Sequence, residues 1–185
     1  VLKELPPKTE NLHRIELDEQ QRKLYLAAVV DAREKLRAAK PEDKMAVFAV
    51  LMRLREICCD PRLVADNWDG GSAKLEACME LVTAAVEGGH RILLFSQFTS
   101  MLELLAKRLD EAGVSHFTLQ GSTPKPVRAE LVRRFNSGEA DVFLISLRAG
   151  GTGLNLTAAD IVIHYDPWWN GAAQNQATDR AYRIG

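Results

Sequence analysis

The sequence predicts an α/β fold: a parallel sheet with helices on both faces, preceded by an α-helical lead-in. From residue 72 onward, short apolar runs alternate with stretches of helical periodicity, the pattern of repeated strand–helix units. The runs Ile92 to Phe95 and Val142 to Ile145 are apolar at every position, so strands there need cover on both sides. Glycines at Gly88-Gly89, Gly113 and Gly138 stand where the helical stretches stop.

The elements follow in order. Leu5-Pro6-Pro7-Lys8-Thr9-Glu10 reads as a connector, because a residue before proline is pushed toward extended backbone. Asp18 suits the cap of a helix starting near Glu19, with Leu24, Ala27, Ala28 and Val30 at helical spacing, and Pro41 closes that option. A second helix is predicted over Lys44 to Cys58, with Val47, Val50, Leu51, Leu54 and Ile57 on one side. It ends at Cys59-Asp60-Pro61, and a loop runs from Asp66 to Ser72. Residues 1–71 therefore read as connector and helical lead-in, and residues 72–185 as the α/β lobe.

Within the lobe, a helix over Lys74 to Val86 precedes the strand Ile92 to Phe95. Ser100 and Glu103 fit a capping box for the next helix, whose stripe is Met101, Leu104, Leu105 and Leu109. A strand over His116 to Leu119 follows. Thr123 is then expected to cap a helix with Pro124 at its first position and with Val127, Leu131 and Phe135 buried. The strand Asp141 to Ser146, a glycine-rich loop, the strand Ile161 to Tyr165, a Pro-Trp-Trp turn and a helix from about Ala172 complete the reading.

Composition narrows the function classes. With 24 basic and 25 acidic side chains the net charge is -1, which gives no general pull on nucleic acid, so any such contact must be local. The apolar runs are too short to cross a hydrocarbon core of roughly 30 Å and no signal layout opens the sequence, so an intracellular, membrane-free protein is expected. Cys58, Cys59 and Cys78 lack zinc-site spacing and are expected as reduced, buried thiols. His13, His90, His116 and His164 are scattered, and no metal ligand is assigned.

Two stretches carry the chemistry. Ser146-Leu147-Arg148-Ala149-Gly150-Gly151-Thr152-Gly153-Leu154-Asn155-Leu156 places glycines directly after a buried strand, where ligands sit in open α/β sheets. Backbone N–H groups there can approach phosphate, and Arg148 can add a charged donor, although a purely structural connection has the same appearance. No G-x-x-x-x-G-K-[ST] phosphate loop is present, and Asp166 before Pro167 reads as a strand-end turn rather than a magnesium ligand. Gln176, Arg180 and Arg183 share one helical face, suited to phosphate, while Asp179 pairing with Arg183 on a solvated face fits the same spacing. Trp168 and Trp169 are read as packing at the turn rather than as base-stacking platforms.

Five stretches in order resemble the second ATPase lobe of Swi/Snf-like superfamily 2 proteins: Ile92 to Phe98, Leu119 to Thr123 followed by Arg128, Ser146 to Asp160, Asp166 to Asn170, and Gln176 to Gly185. Leu5 to Glu10 and Arg55 to Leu63 resemble the lead-in of that family, so nearly the whole chain is covered. Gly171 departs from the pattern, where the family more often has proline. The resemblance implies a RecA-like fold and a motor lobe of an ATP-dependent double-stranded DNA translocase. ATP and Mg2+ would be held mainly by a first lobe of the same protein. Arg180 and Arg183 would act as arginine fingers, Gln176 would help organise that site, and Gly153 would lie beside the nucleotide. Ser96, Gln97, Gly121, Ser122, Thr123, Arg148, Gly150 and Gly151 would face the DNA backbone. A DNA-bound protein complex, as in chromatin remodelling, is a further implied partner. A strand-separating superfamily 2 helicase lobe, or an interaction domain that kept the fold and lost catalysis, are the other readings, and the Asp-Pro-Trp-Trp-Asn wording at 166–170 favours the Swi/Snf-like branch.

Overall fold

The computed structural model describes residues 9–38, 40, 43–150 and 154–167. Two compact units result, one of His13–Ala77 and one running from Cys78 together with the N-terminal residues to Leu12.

In the first unit, α1 (Glu19–Ala38) and α2 (Lys44–Cys59) lead into a 3-10 turn at Pro61–Leu63. Asp18 caps α1 as expected, its Oδ1 accepting from Gln21 N–H at 2.8 Å. Gln21 is fully buried and donates from Nε2 to the Ile57 carbonyl at 2.8 Å, tying α1 to the last turn of α2. Asp60 is also fully buried, and Arg62 neutralises it through Nε at 2.8 Å and Nη2 at 2.7 Å. Without such a partner a buried carboxylate would be strongly destabilising. Val30, Val47 and Leu51 stay exposed although the helical spacing grouped them with inward residues, because two paired helices cover only a narrow stripe of each other. Cys59 and Cys78 are buried, Cys58 is half-buried, and none of them is in a disulfide. Burial pushes the Cys58 thiol up, against the opposing charge of Lys74, so it stays protonated.

α3 (Ala73–Glu87) is followed by the strands and helices of a parallel α/β sheet: β1 (Ile92–Ser96), α4 (Thr99–Glu111), β2 (His116–Leu119), α5 (Lys125–Asn136), β3 (Val142–Ser146), α6 (Leu147–Gly150) and β4 (Ile161–His164). The order is β2-β3-β1-β4, every pair parallel, with Ser96 opposite Ser146, Leu119 opposite Ile145 and Phe95 opposite His164. The step from β1 to β2 runs one way across the sheet, and the steps β2 to β3 and β3 to β4 run the other way. Crossovers are right-handed, so α4 must lie on one face and α5 with the β3–β4 connection on the other. The packing agrees. Leu93, Phe95, Phe143 and Ile145 form one cluster with Phe135 of α5 and with Leu154, Leu156 and Ala159 of the connection. Ile92, Leu94, Val142 and Leu144 point oppositely and are fully buried, and α4 packs across β1, β2 and β3 with Met101, Leu102, Leu105 and Leu109 out of solvent.

Three local expectations are corrected. Ser100 lies inside α4 and caps nothing; Phe98 holds the cap position and makes no side-chain cap hydrogen bond. The apolar stripe of α4 runs through Leu102 rather than Leu104, since Leu104 is only half-buried. At α5 the cap is Pro124, Thr123 accepts instead from Gln120 N–H at 3.0 Å, and Val127 is 46% exposed. In both helices the apolar residue that periodicity selects loses to the direction of the sheet beneath. The expected turn at 168–169 and the helix from 172 lie outside the described residues.

Candidate functional site

The connection leaving β1 goes to the α4 face and the connection leaving its neighbour β3 goes to the α5 face. Where adjacent strands send their chains to opposite sides, a crevice opens beyond their carboxyl ends, and ligands of open α/β sheets bind there. β1 and β3 end in register on the same residue type. Ser96 Oγ accepts from Phe98 N–H at 3.1 Å, and Ser146 Oγ accepts from Ala149 N–H at 3.3 Å. Both serines are buried, so their hydroxyls shape the turns rather than face solvent.

Gln97 follows Ser96. Its N–H donates to the Asp166 carboxylate, at 3.0 Å to Oδ2 and 3.4 Å to Oδ1, and Asp166 is 2% exposed. Tyr165 N–H donates to the Phe95 carbonyl at 3.0 Å, so the ends of β1 and β4 are joined twice. The side-chain amide of Gln97 is buried at both Oε1 and Nε2 and has no partner among the described residues. An unpaired buried amide costs about 1–3 kcal/mol. Arg148 is exposed on α6, and Gly150 is the last residue of that helix.

Beyond β2 the chain turns tightly at Gln120–Thr123. Thr123 N–H donates to the Gln120 carbonyl at 3.1 Å, and Gln120 N–H donates back to Thr123 Oγ1. Arg128, one turn into α5, reaches back to the same turn. Its Nε donates to the Thr123 carbonyl at 2.7 Å, and its Nη2 to the Gly121 and Gln120 carbonyls at 2.7 and 3.4 Å. Gly121 and Ser122 are exposed, and a Cβ placed on Gly121 would meet nothing within 4 Å.

The structure thus brings Ser96, Gln97, Gly121, Ser122, Thr123, Arg148 and Gly150 to one edge of the sheet, the carboxyl edge. Gly151, Gly153, Gln176, Arg180 and Arg183 lie outside the described residues. Two contributors are not legible in the sequence. The bond between Asp166 and Gln97 joins positions 69 apart, which spacing cannot show. The sequence places Arg128 in a motif without showing what it holds. The outward groups on this edge are the N–H groups of Gly121 and Ser122 and the Arg148 guanidinium, donors that fit phosphate oxygens and not a metal ion. Among the described residues no cluster of His, Cys, Asp or Glu could hold a metal.

Residues 73–185 match the helicase conserved C-terminal domain family, and residues 1–63 match the SNF2-related domain. A putative ATP-dependent helicase/translocase of Bacillus subtilis is 40% identical over 98% of the chain. A mouse protein named as a SWI/SNF-related, matrix-associated, actin-dependent regulator of chromatin is 36% identical over 100% of it. The chain spans 20% and 19% of the length of these two relatives. The solved SWI2/SNF2 ATPase core of Sulfolobus solfataricus, in complex with double-stranded DNA, superposes with a TM-score of 0.79 at 28% identity, covering 92% of this chain and 36% of that one. With the parallel sheet, its two covered faces and both domain matches in agreement, the chain belongs to the helicase conserved C-terminal domain family, as the C-terminal lobe of an SNF2-family helicase.

Proposed function

We propose that this chain is the second motor lobe of an ATP-driven double-stranded DNA translocase, in which residues 1–71 connect it to a first RecA-like lobe of the same protein and residues 72–185 form the motor lobe. The observation that carries the reading is the set of outward donors at the carboxyl edge, the N–H groups of Gly121 and Ser122 and the exposed Arg148. Amide, hydroxyl and main-chain donors hold phosphates without reading bases, as movement along any sequence requires. Gln97, Gly121, Ser122, Thr123, Arg148, Gly150 and Gly151 are assigned to the DNA backbone, with Ser96 shaping the turn behind them. A SWI2/SNF2 core of the same fold was solved with duplex DNA, which supports the assignment.

Arg180 and Arg183 are assigned as arginine fingers, with Gln176 organising the same site and Gly153 beside the nucleotide. ATP, when bound by the first lobe, supplies the free energy of phosphoryl transfer. The role of this chain is to bring guanidinium charge to the equatorial oxygens when the lobes close, an effect worth about 10³ to 10⁵ in rate. Mg2+ is assigned to the first lobe, since the donors described here do not fit it, and no step is routed through it. The load moved along the duplex is a DNA-bound protein complex inside the cell. No helix among the described residues is long and apolar enough to cross a membrane.

The test is DNA-stimulated ATP hydrolysis by the full-length protein. Arg180→Ala and Arg183→Ala are each expected to lower turnover by about 10³-fold or more while leaving much of the ATP affinity. Turnover equal to wild type in either variant removes that arginine from the reaction.

A further inference from the structure

We infer that Arg128 is a positioning residue for DNA binding: it holds the Gln120–Thr123 turn so that the N–H groups of Gly121 and Ser122 face the phosphate backbone. The inference rests on the proposed assignment of this turn to DNA.

The argument is one of peptide geometry. Every described peptide bond is trans, so the C=O of one residue and the N–H of the next point in opposite directions. The Gln120 carbonyl accepts from Arg128 Nη2 and from Thr123 N–H, which turns the Gly121 N–H away from Arg128. The Gly121 carbonyl accepts from Arg128 Nη2 at 2.7 Å, which turns the Ser122 N–H away likewise. The Thr123 carbonyl, the third acceptor, precedes Pro124, which has no N–H to present. Neither Gly121 nor Ser122 N–H has an acceptor among the described residues, and the space over Gly121 is open. Two adjacent N–H groups are therefore aimed at one side, where successive backbone donors bind anions.

The planar fork of arginine suits this task, because Nε and Nη2 engage carbonyls on both sides of the turn. A lysine carries the same charge on a single nitrogen and cannot span them. That difference separates positioning from direct contact. If Arg128 itself neutralised a phosphate, charge alone would matter and lysine would serve.

The experiment compares the full-length wild type with Arg128→Lys and Arg128→Gln. Duplex DNA affinity is read by fluorescence anisotropy over a potassium chloride series, and ATP affinity is read beside it. Both variants are expected to bind duplex DNA about tenfold or more weakly, with the slope of log K against log salt as in wild type, since no cation leaves the phosphate. Wild-type affinity in Arg128→Lys, together with a slope smaller by about 0.9 in Arg128→Gln, makes Arg128 a direct phosphate contact and overturns the inference alone. Equal affinity in all three proteins overturns it as well. A loss of ATP affinity as large as the loss for DNA moves the turn to the nucleotide or to general folding, and either result is against it. Absence of duplex binding by the wild type overturns the inference and the DNA reading together.

Discussion

Gly138 has φ +89, and the hydrogen bonds around it explain why α5 stops there. Gly138 N–H donates to the Phe135 carbonyl and Glu139 N–H to the Arg134 carbonyl, the paired pattern that closes a helix through a left-handed residue. α3 and α4 end in the same way at Gly89 and Gly113. A side chain at 138 would also land on the Arg91 guanidinium, although that group can move aside. Gly138→Ala is therefore expected to lower stability by about 1–2 kcal/mol, read from the urea midpoint. A wild-type midpoint would show that α5 ends by another means. At the amino edge of the sheet, Asp160 takes Arg91 N–H at 3.0 Å and lies 2.6 Å from His90 Nδ1. Partial burial pushes its carboxyl up, but the hydrogen bonds from His90 and Arg91 and the His90 charge together outweigh burial and hold it below the usual range. A carboxyl lowered by folding stabilises the fold above its unfolded range and loses that effect as pH falls through its folded value. Asp160→Asn is thus expected to lower the urea midpoint at pH 7, with the difference shrinking as pH falls below the usual carboxylate range. A difference that persisted at low pH would mean that shape rather than charge is at stake.

At the scale of elements, α5 is held to the sheet by one aromatic contact more than by its own pattern. Phe135 is fully buried with its ring centroid 5.2 Å from that of Phe143, and Phe117 meets Phe143 edge-on at 6.1 Å. Asn136 extends the anchorage, donating to the Asn155 carbonyl at 2.9 Å and accepting from Ala158 N–H at 3.3 Å, which fastens the β3–β4 connection to the end of α5. Phe135→Ala removes a buried ring where three elements meet, and about 3–5 kcal/mol of stability should go with it in chemical denaturation. A loss below about 1 kcal/mol would mean that the site collapses around the gap. The loop that Arg128 organises lies at the other end of this helix, so a firm α5 is also what fixes the turn after β2.

For the whole molecule, the direction in which the chain crosses the sheet decides where a ligand can go. Because β1 and β3 are neighbours that feed opposite faces, the crevice falls between their carboxyl ends, and the loops after β1, β2 and β3 all reach that edge. The net charge of -1 means that binding there depends on placed donors more than on a general field. With no phosphate loop in its sequence, the chain by itself is expected to show no DNA-stimulated ATP hydrolysis in a phosphate-release assay. Measurable turnover by the isolated chain would contradict the division of labour between two lobes.

The sequence by itself determined the alternation of helix and strand, the strand positions to within a residue, and the helix stops, because each depends on local backbone preference and on apolar period. It also determined the family, since motif wording survives without coordinates. It did not determine which apolar residue of a helical stripe goes inward: Leu102 displaced Leu104, and Val47, Leu51 and Val127 stayed in solvent. Nor could it show that Asp166 receives the Gln97 N–H, or that Arg128 turns its charge onto three carbonyls of its own loop. Those facts depend on strand order and on the direction of each crossover, which join residues far apart in the chain, and only the packed sheet fixes both.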